Sequence, residues 1–159
     1  MSIEIERKFL VKGDFSSCVV KKEKIVQAYL AASRERTVRI RTKGDKAFLT
    51  IKGAANTNGF SHLEFEYPIP LQDAQEILKL AQTGWIEKER NYVPFENHLF
   101  EVDIFHGAHE GLILAELELS SENEVFEKPD WLGEEVTGEE RYYNAWLAGN
   151  TNADDGEHK

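Results

Sequence analysis

Hydrophobic and polar residues alternate along most of this chain. In residues 2–11, SIEIERKFLV, Ile3, Ile5, Arg7 and Phe9 fall on one face and Glu4, Glu6 and Lys8 on the other, the period of two that a half-buried strand requires. The same period returns near 25–32, 36–43, 46–52, 60–68, 85–95, 98–106 and 112–120, which predicts eight strands in all. Lys43-Gly44-Asp45 reads as a hairpin turn, Gly53 to Gly59 as a polar loop, and Gly107 and Gly111 bracket another turn. Short strands joined by turns predict an all-β barrel or sandwich.

The period lengthens in a few places. Residues 71–82 put Leu71, Ala74, Ile77, Leu78 and Ala81 on one face of a helix that ends near Gly84. Thr137-Gly138-Glu139-Glu140 has the form of a capping box, predicting a helix from about Gly138 to Ala148 with Gly149 as its stop. A shorter helix is expected near 121–127. Residues 150–159, NTNADDGEHK, contain nothing to bury and are expected to form a disordered tail. Without a repeat or a linker, residues 1–149 are expected to form a single domain.

Composition narrows the function classes. Apolar content of 41% and charged content of 30% over 159 residues suit a soluble domain with a real core. No apolar run approaches the roughly 18–20 residues of a membrane-spanning helix, and the charged N-terminus shows no signal peptide. The single cysteine, Cys18, fits a reducing cytoplasm, the expected compartment. A net charge of −10 argues against nucleic-acid binding, and no membrane partner is expected. A small polyanion stays open, because a local basic cluster outweighs the global sign. A homodimer is also left open.

The charged strand faces are sorted by sign. Arg39 and Arg41 share one face, as do Lys88 and Arg90; Thr50 and Lys52 oppose Leu49 and Ile51. Glu64 with Glu66, Glu101 with Asp103, and Glu116 with Glu118 repeat the pattern with carboxylates. Such pairs lie about 6.5–7 Å apart along a strand, whereas a solvated sheet face gains from opposite-sign neighbours. The opposite faces are apolar and nearly continuous over seven strands, so they are the packed side. If the sheet curls into a barrel, the charged side is its lumen.

That lumen holds six basic groups, Lys8, Arg39, Arg41, Lys52, Lys88 and Arg90, and seven acidic ones, Glu4, Glu6, Glu64, Glu66, Asp103, Glu116 and Glu118, with Glu101 assigned to a strand end. Each buried ion costs several kcal/mol, so the lumen must hold water, ions and ligand. Two divalent cations would take the sum from about −1 to about +3. A triphosphate, with roughly −1.5 to −2 on each terminal phosphate, is the natural counterpart. Eight strands enclose room for one small ligand.

The ordered motifs resemble the CYTH superfamily, the triphosphate tunnel metalloenzymes, and most closely its small single-domain bacterial members. Glu4-Ile5-Glu6-Arg7-Lys8 is similar to the E-x-E-x-K signature; Arg39/Arg41, Thr50/Lys52, Glu64/Glu66, Lys88/Arg90, Asp103 and Glu116/Glu118 follow in order. The resemblance spans residues 2 to about 148. It implies a mainly β (α+β) fold: an eight-stranded antiparallel β-barrel forming a tunnel, with helices packed outside and a C-terminal helix closing one end. It implies metal-dependent hydrolysis of a triphosphate, with inorganic tripolyphosphate cleaved to pyrophosphate and phosphate as the leading expectation.

By the same resemblance, Glu4, Glu6, Glu116 and Glu118 would ligate Mg²⁺ or Mn²⁺, two ions in all. Lys8, Arg39, Arg41, Lys52 and Arg90 would bind substrate, with Asp103 among them orienting its basic neighbours. Lys88, Glu64 and Glu66 would be catalytic: Lys88 positions or deprotonates the attacking water, and the two carboxylates serve a second metal or the water network. Carboxylates suit a hard oxygen-seeking cation, and Arg and Lys suit phosphate. The alternatives are thiamine triphosphate or nucleoside triphosphate hydrolysis, adenylate cyclase activity, or a binding module without turnover.

Many relatives carry Arg where His62 stands, two residues before Glu64. His106 and His109 lie in a turn without Cys partners and read as surface histidines. Lys43-Gly44 and Lys52-Gly53 lack the P-loop spacing. Trp131 and Trp146 read as packing for the C-terminal segment, and Arg141 as either a tunnel-mouth or a solvated residue.

Overall fold

The computed structural model describes residues 2–57 and 59–151. Nine strands form among the described residues: β1 (Ser2–Val11), β2 (Lys21–Ala32), β3 (Arg36–Lys43), β4 (Lys46–Gly53), β5 (Ser61–Ile69), β6 (Ile86–Phe95), β7 (His98–His106), β8 (Ile113–Glu118) and β9 (Leu132–Glu135). The helices are α1 (Leu71–Leu78) and α2 (Asn144–Gly149). The strands pair antiparallel in the order β5-β4-β3-β2-β6-β7-β8-β1, and a β5–β1 pairing closes eight of them into a barrel. No helix among the described residues is long and apolar enough to cross a membrane.

Strand β1 is the seam. One edge pairs with β8 over Glu6–Leu10, while the other pairs first with β5 and then with β9. The gap between those two partners is filled: Glu6 N–H donates to Phe60 O at 3.0 Å, Lys8 N–H to Thr137 Oγ1 at 2.8 Å, and Val136 N–H to Lys8 O at 2.8 Å. On the outer face, Arg7 lies over the Phe60 and Phe126 rings and binds both carboxylate oxygens of Glu135.

The apolar faces pack in separate layers. Phe9, Val93, Phe100, Ala115 and Leu117 form an outer cluster under Trp131, Leu132 and Phe126. A second outer cluster joins Ala28, Ile40 and Ala47 to Ala74 and Leu78 of α1. The third is internal. The charged stripes of β1, β6, β7 and β8 run on into Leu10, Ile86, Phe105 and Leu114, and these with Tyr29 receive Leu147 and Ala148 of α2. This layer closes one end of the barrel and seats the C-terminal helix.

The structure departs from the sequence pattern at several ends. Strand β2 begins at Lys21, four residues early, because a backbone ladder to Glu89–Tyr92 holds the polar Lys21–Lys24 stretch. Helix α1 stops at Leu78, not near residue 82: tighter turns follow, and Gln82 N–H is captured by Tyr29 O at 2.9 Å. The expected C-terminal helix from Gly138 is broken. Thr137 cannot cap it, since its hydroxyl is bonded to Lys8 N–H and Glu135, and Gly138 has φ +83°. A 3₁₀ turn at Glu140–Tyr142 and an extended Tyr143 precede α2. The helix expected near 121–127 is absent; Glu124 instead folds back on Ser120 and His98. Strand β9 was not expected. Asn150 and Thr151 continue from α2, and the rest of the expected tail lies outside the described residues.

Phe9 is 1% exposed and meets Phe126 edge-on at 5.9 Å. Phe9→Ala is expected to lower the unfolding free energy by about 3–5 kcal/mol in a denaturant titration, the usual result of emptying an aromatic core site.

Candidate active site

The lumen is a cavity of about 1240 Å³. The charged motifs alternate in sign along the chain, but strand order collects them into two half-walls. Strands β4, β3, β2 and β6 lie side by side and present Lys52, Arg39, Arg41, Lys43, Lys88 and Arg90. Strands β7, β8, β1 and β5 complete the circle with Glu101, Glu116, Glu118, Glu4, Glu6, Glu64 and Glu66. Lys8 is the one cation on the acidic side of this circle among the described residues.

The basic half-wall is braced from behind. Asp103 is 1% exposed and does not line the cavity; its carboxylate accepts two hydrogen bonds from Arg90, at 2.8 and 2.9 Å, and lies 2.7 Å from Lys88 Nζ. Arg90 also reaches Glu101 at 3.1 Å and Glu116 at 3.4 Å. Burial raises the Asp103 carboxyl, yet Arg90 and Lys88 more than offset this and hold it below its ordinary value. Lys88 goes the other way: burial, helped by Arg90, depresses its ammonium to about 8 against the pull of Asp103. Lys88 Nζ also donates to Asn144 Oδ1 at 2.9 Å.

Arg39 and Arg41 approach Glu66 at 3.6 and 3.7 Å, and Thr50 donates to Glu66 at 2.9 Å. The Nε atoms of both arginines are buried without a hydrogen-bond partner, so their donor capacity is not used up by the wall itself. Burial, with Arg39 and Arg90 nearby, lowers Arg41 to about 10. Lys52 lies 2.5 Å from Glu4, and Lys8 lies 3.4 Å from Glu116 and 3.0 Å from Tyr142 O.

The acidic half-wall is under strain of like charge. Glu6 and Glu118 face each other across β1 and β8, as do Glu101 and Glu116 across β7 and β8, an arrangement that repels in the absence of a cation. Glu6 makes no side-chain hydrogen bond or ion pair among the described residues; burial, then Glu116 and Glu4, raise its carboxyl to about 8. Burial and Glu4 likewise raise Glu64 and Glu118. Glu4 and Glu116 are also pushed up by burial, but Lys52 at Glu4, and Lys8 and Arg90 at Glu116, hold both below the ordinary range.

These oxygen donors are the right type for a hard divalent cation, and the unpaired Glu6 opposite Glu118 is where positive charge is missing. Among the described residues no three acidic, His or Cys groups converge into a ready-made cation cage. The carboxylates are spread along the wall, as suits a cation that keeps several waters.

The lumen therefore brings together Glu4, Glu6, Lys8, Arg39, Arg41, Lys52, Glu64, Glu66, Lys88, Arg90, Glu116 and Glu118, with Asp103 behind them. His62 lines the cavity, and its Nδ1 lies 3.2 Å from Gly53 O. Arg141 is exposed and pairs with Glu139, Trp131 is core, and Trp146 is partly exposed at the cavity. Sequence reasoning left out Glu101, which lines the lumen beside Arg90; its spacing of two from Asp103 was the available signal. Lys43 extends the Arg39–Arg41 row at the same spacing. Asn144 and Tyr143 carry no such signal.

Comparison with known proteins agrees with this geometry. The chain is 46% identical to an inorganic triphosphatase of Acetivibrio thermocellus, with 94% of this chain and 96% of that protein covered. It is 35% identical to an inorganic triphosphatase of Nitrosomonas europaea, covering 91% and 96%. The solved structure of the inorganic triphosphatase NE1496 matches 93% of this chain and 95% of its own, at 32% identity and a TM-score of 0.67. The CYTH domain itself matches residues 2–143, every charged strand of the lumen included. A closed barrel whose inward charges fall into two opposed half-walls, carried on those residues, makes this chain a member of the CYTH family.

Proposed function

We propose that the chain hydrolyses inorganic tripolyphosphate to pyrophosphate and phosphate with a divalent cation, Mg²⁺ or Mn²⁺. One observation carries this reading: a basic half-wall suited to a polyanion faces an acidic half-wall on which Glu6, set opposite Glu118, has no cationic partner among the described residues. The names of the two relatives support the same reaction. A small triphosphate and the cation are the only partners it requires. The exposed, unpaired Cys18 suits the cytoplasmic setting it assumes.

Arg39, Arg41, Lys52, Arg90 and Lys8 bind the phosphate oxygens, with Arg giving forked contacts and Lys point charges. Asp103 keeps Arg90 and Lys88 aimed, and Glu66 spaces Arg39 and Arg41. Glu4, Glu6, Glu116 and Glu118 would hold two cations, which when bound neutralise phosphate charge and acidify water. Lys88 is the group that takes the proton from the attacking water: buried, and depressed to about 8, it is neutral often enough near neutral pH to serve. Glu64 serves the water network beside Glu4. Phosphoryl transfer of this kind depends on positioning and charge stabilisation, with little covalent chemistry from the protein.

A second reading, an organic triphosphate such as a nucleoside or thiamine triphosphate, is favoured by the Tyr143 and Trp146 side of the cavity. Phosphate release from each triphosphate, with Mg²⁺ or Mn²⁺ and with chelator, separates the two. The proposal expects tripolyphosphate to give the highest kcat/KM and chelator to abolish release. Tight binding of tripolyphosphate without turnover would overturn it.

Glu6→Gln is expected to remove most of the activity while making the cation-free protein more heat-stable at pH 8.5. The sign follows from linkage: with a carboxyl at about 8 when folded, against an ordinary 4.5, stability is lost as pH rises through that interval. A variant that is both active and less stable would contradict the assignment. At saturating cation, kcat should rise with pH to a plateau with a midpoint near 8, the Lys88 value. Lys88→Arg, which cannot deprotonate, should lose that step and about 10²–10⁴-fold in kcat.

A further inference from the structure

We propose that Asn144 is a positioning residue that turns the lone pair of Lys88 toward the lumen. The proposal rests on the reading of Lys88 as the proton acceptor. A neutral lysine nitrogen carries Cε, two hydrogens and one lone pair in tetrahedral array. Two acceptors stand within reach of it: Asp103 Oδ2 at 2.7 Å and Asn144 Oδ1 at 2.9 Å. Each takes one N–H, so the fourth direction is left to the lone pair. Lys88 and Asn144 line the cavity while Asp103 lies behind it, so that remaining direction faces substrate. Asp103 alone fixes one hydrogen and leaves the amine free to rotate about it.

An amide is the right acceptor here. It orients the amine without adding charge, whereas a second carboxylate would hold the proton on nitrogen. The charged groups already acting on Lys88 are Asp103, Arg90 and Glu116, and the Phe105 ring lies 5.3 Å from Nζ. The fold places Asn144 through the extended Tyr143 before it and through Leu147 and Ala148, which seat α2 on the apolar end of the barrel. In the reaction the lone pair takes a proton from water as the water oxygen bonds to the terminal phosphorus. The bridging P–O bond breaks toward the leaving pyrophosphate. The ammonium keeps its two bonds to Asp103 and Asn144 and presents the new N–H to the lumen, where product phosphate or solvent removes it.

The test compares Asn144→Ala, Asn144→Asp and Lys88→Met with the parent, using kcat and KM against pH, thermal unfolding, and NMR titration of Lys88 Cε in the cation-free protein. Asn144→Ala should lower kcat roughly 10- to 100-fold with KM unchanged. Asn144→Asp should move the NMR midpoint and the kcat midpoint upward together, by about 1 pH unit or more. Parental midpoints in Asn144→Asp, or a parental kcat in Asn144→Ala, would overturn the proposal. A parental pH profile in Lys88→Met would instead overturn the assignment of Lys88 itself.

Discussion

Everything else in this structure depends on how an acidic half-wall is held against a basic one inside a closed barrel. Eight antiparallel strands leave no edge through which charge could turn outward, so each inward stripe must be tolerated where it lies. The basic side is stabilised by Asp103, which sits behind Lys88 and Arg90 and takes contacts from both. On the acidic side Glu4 pairs with Lys52, and Glu116 with Lys8 and Arg90, but Glu6 has no such partner among the described residues. Glu6 and Glu118 oppose each other, and burial, with Glu116 and Glu4 nearby, keeps the Glu6 proton in place to about 8. The protein therefore gives up stability at the position where binding requires charge, a trade common at functional sites.

The apolar layers make that trade affordable. Phe9, Phe100 and Leu117 pack one outer flank and Ile40 with Leu78 another, both away from the lumen. The third layer links packing to chemistry. Tyr29, Ile86, Phe105 and Leu114 point inward along the same stripes that carry charge further on, and they receive α2. Through that seat the C-terminal segment reaches two of the lumen lysines: Tyr142 O accepts from Lys8 and Asn144 Oδ1 from Lys88. The helix that closes one end is in this way part of the polar wall.

Much of this was legible in the sequence. Like charges two apart on strands with large apolar partners mark a shared interior, because a wet face has no reason to sort by sign. The pairs at Glu4/Glu6, Arg39/Arg41 and Lys88/Arg90 all fell where that logic put them, facing the lumen. The two half-walls were not legible, since they arise from strand order and the motifs alternate in sign along the chain. Glu101 lies three residues inside the strand expected at 98–106 and shares a face with Asp103, so its place in the lumen was legible in its spacing rather than in its distance from the strand end. Asn144 was hidden for a different reason. Thr137 has the look of a helix cap, but β1 claims its hydroxyl, and the helix starts later, at Asn144 itself. Tertiary competition for one hydroxyl decided what local spacing alone leaves open.

The most direct test of the opposed half-walls is thermal unfolding of the Lys88→Met protein with cation alone, tripolyphosphate alone, and both together. If each half-wall needs the charge that the other ligand brings, the two together must raise the melting temperature by more than the sum of the separate shifts. Separate shifts that simply add, or no shift with either ligand, would contradict the account.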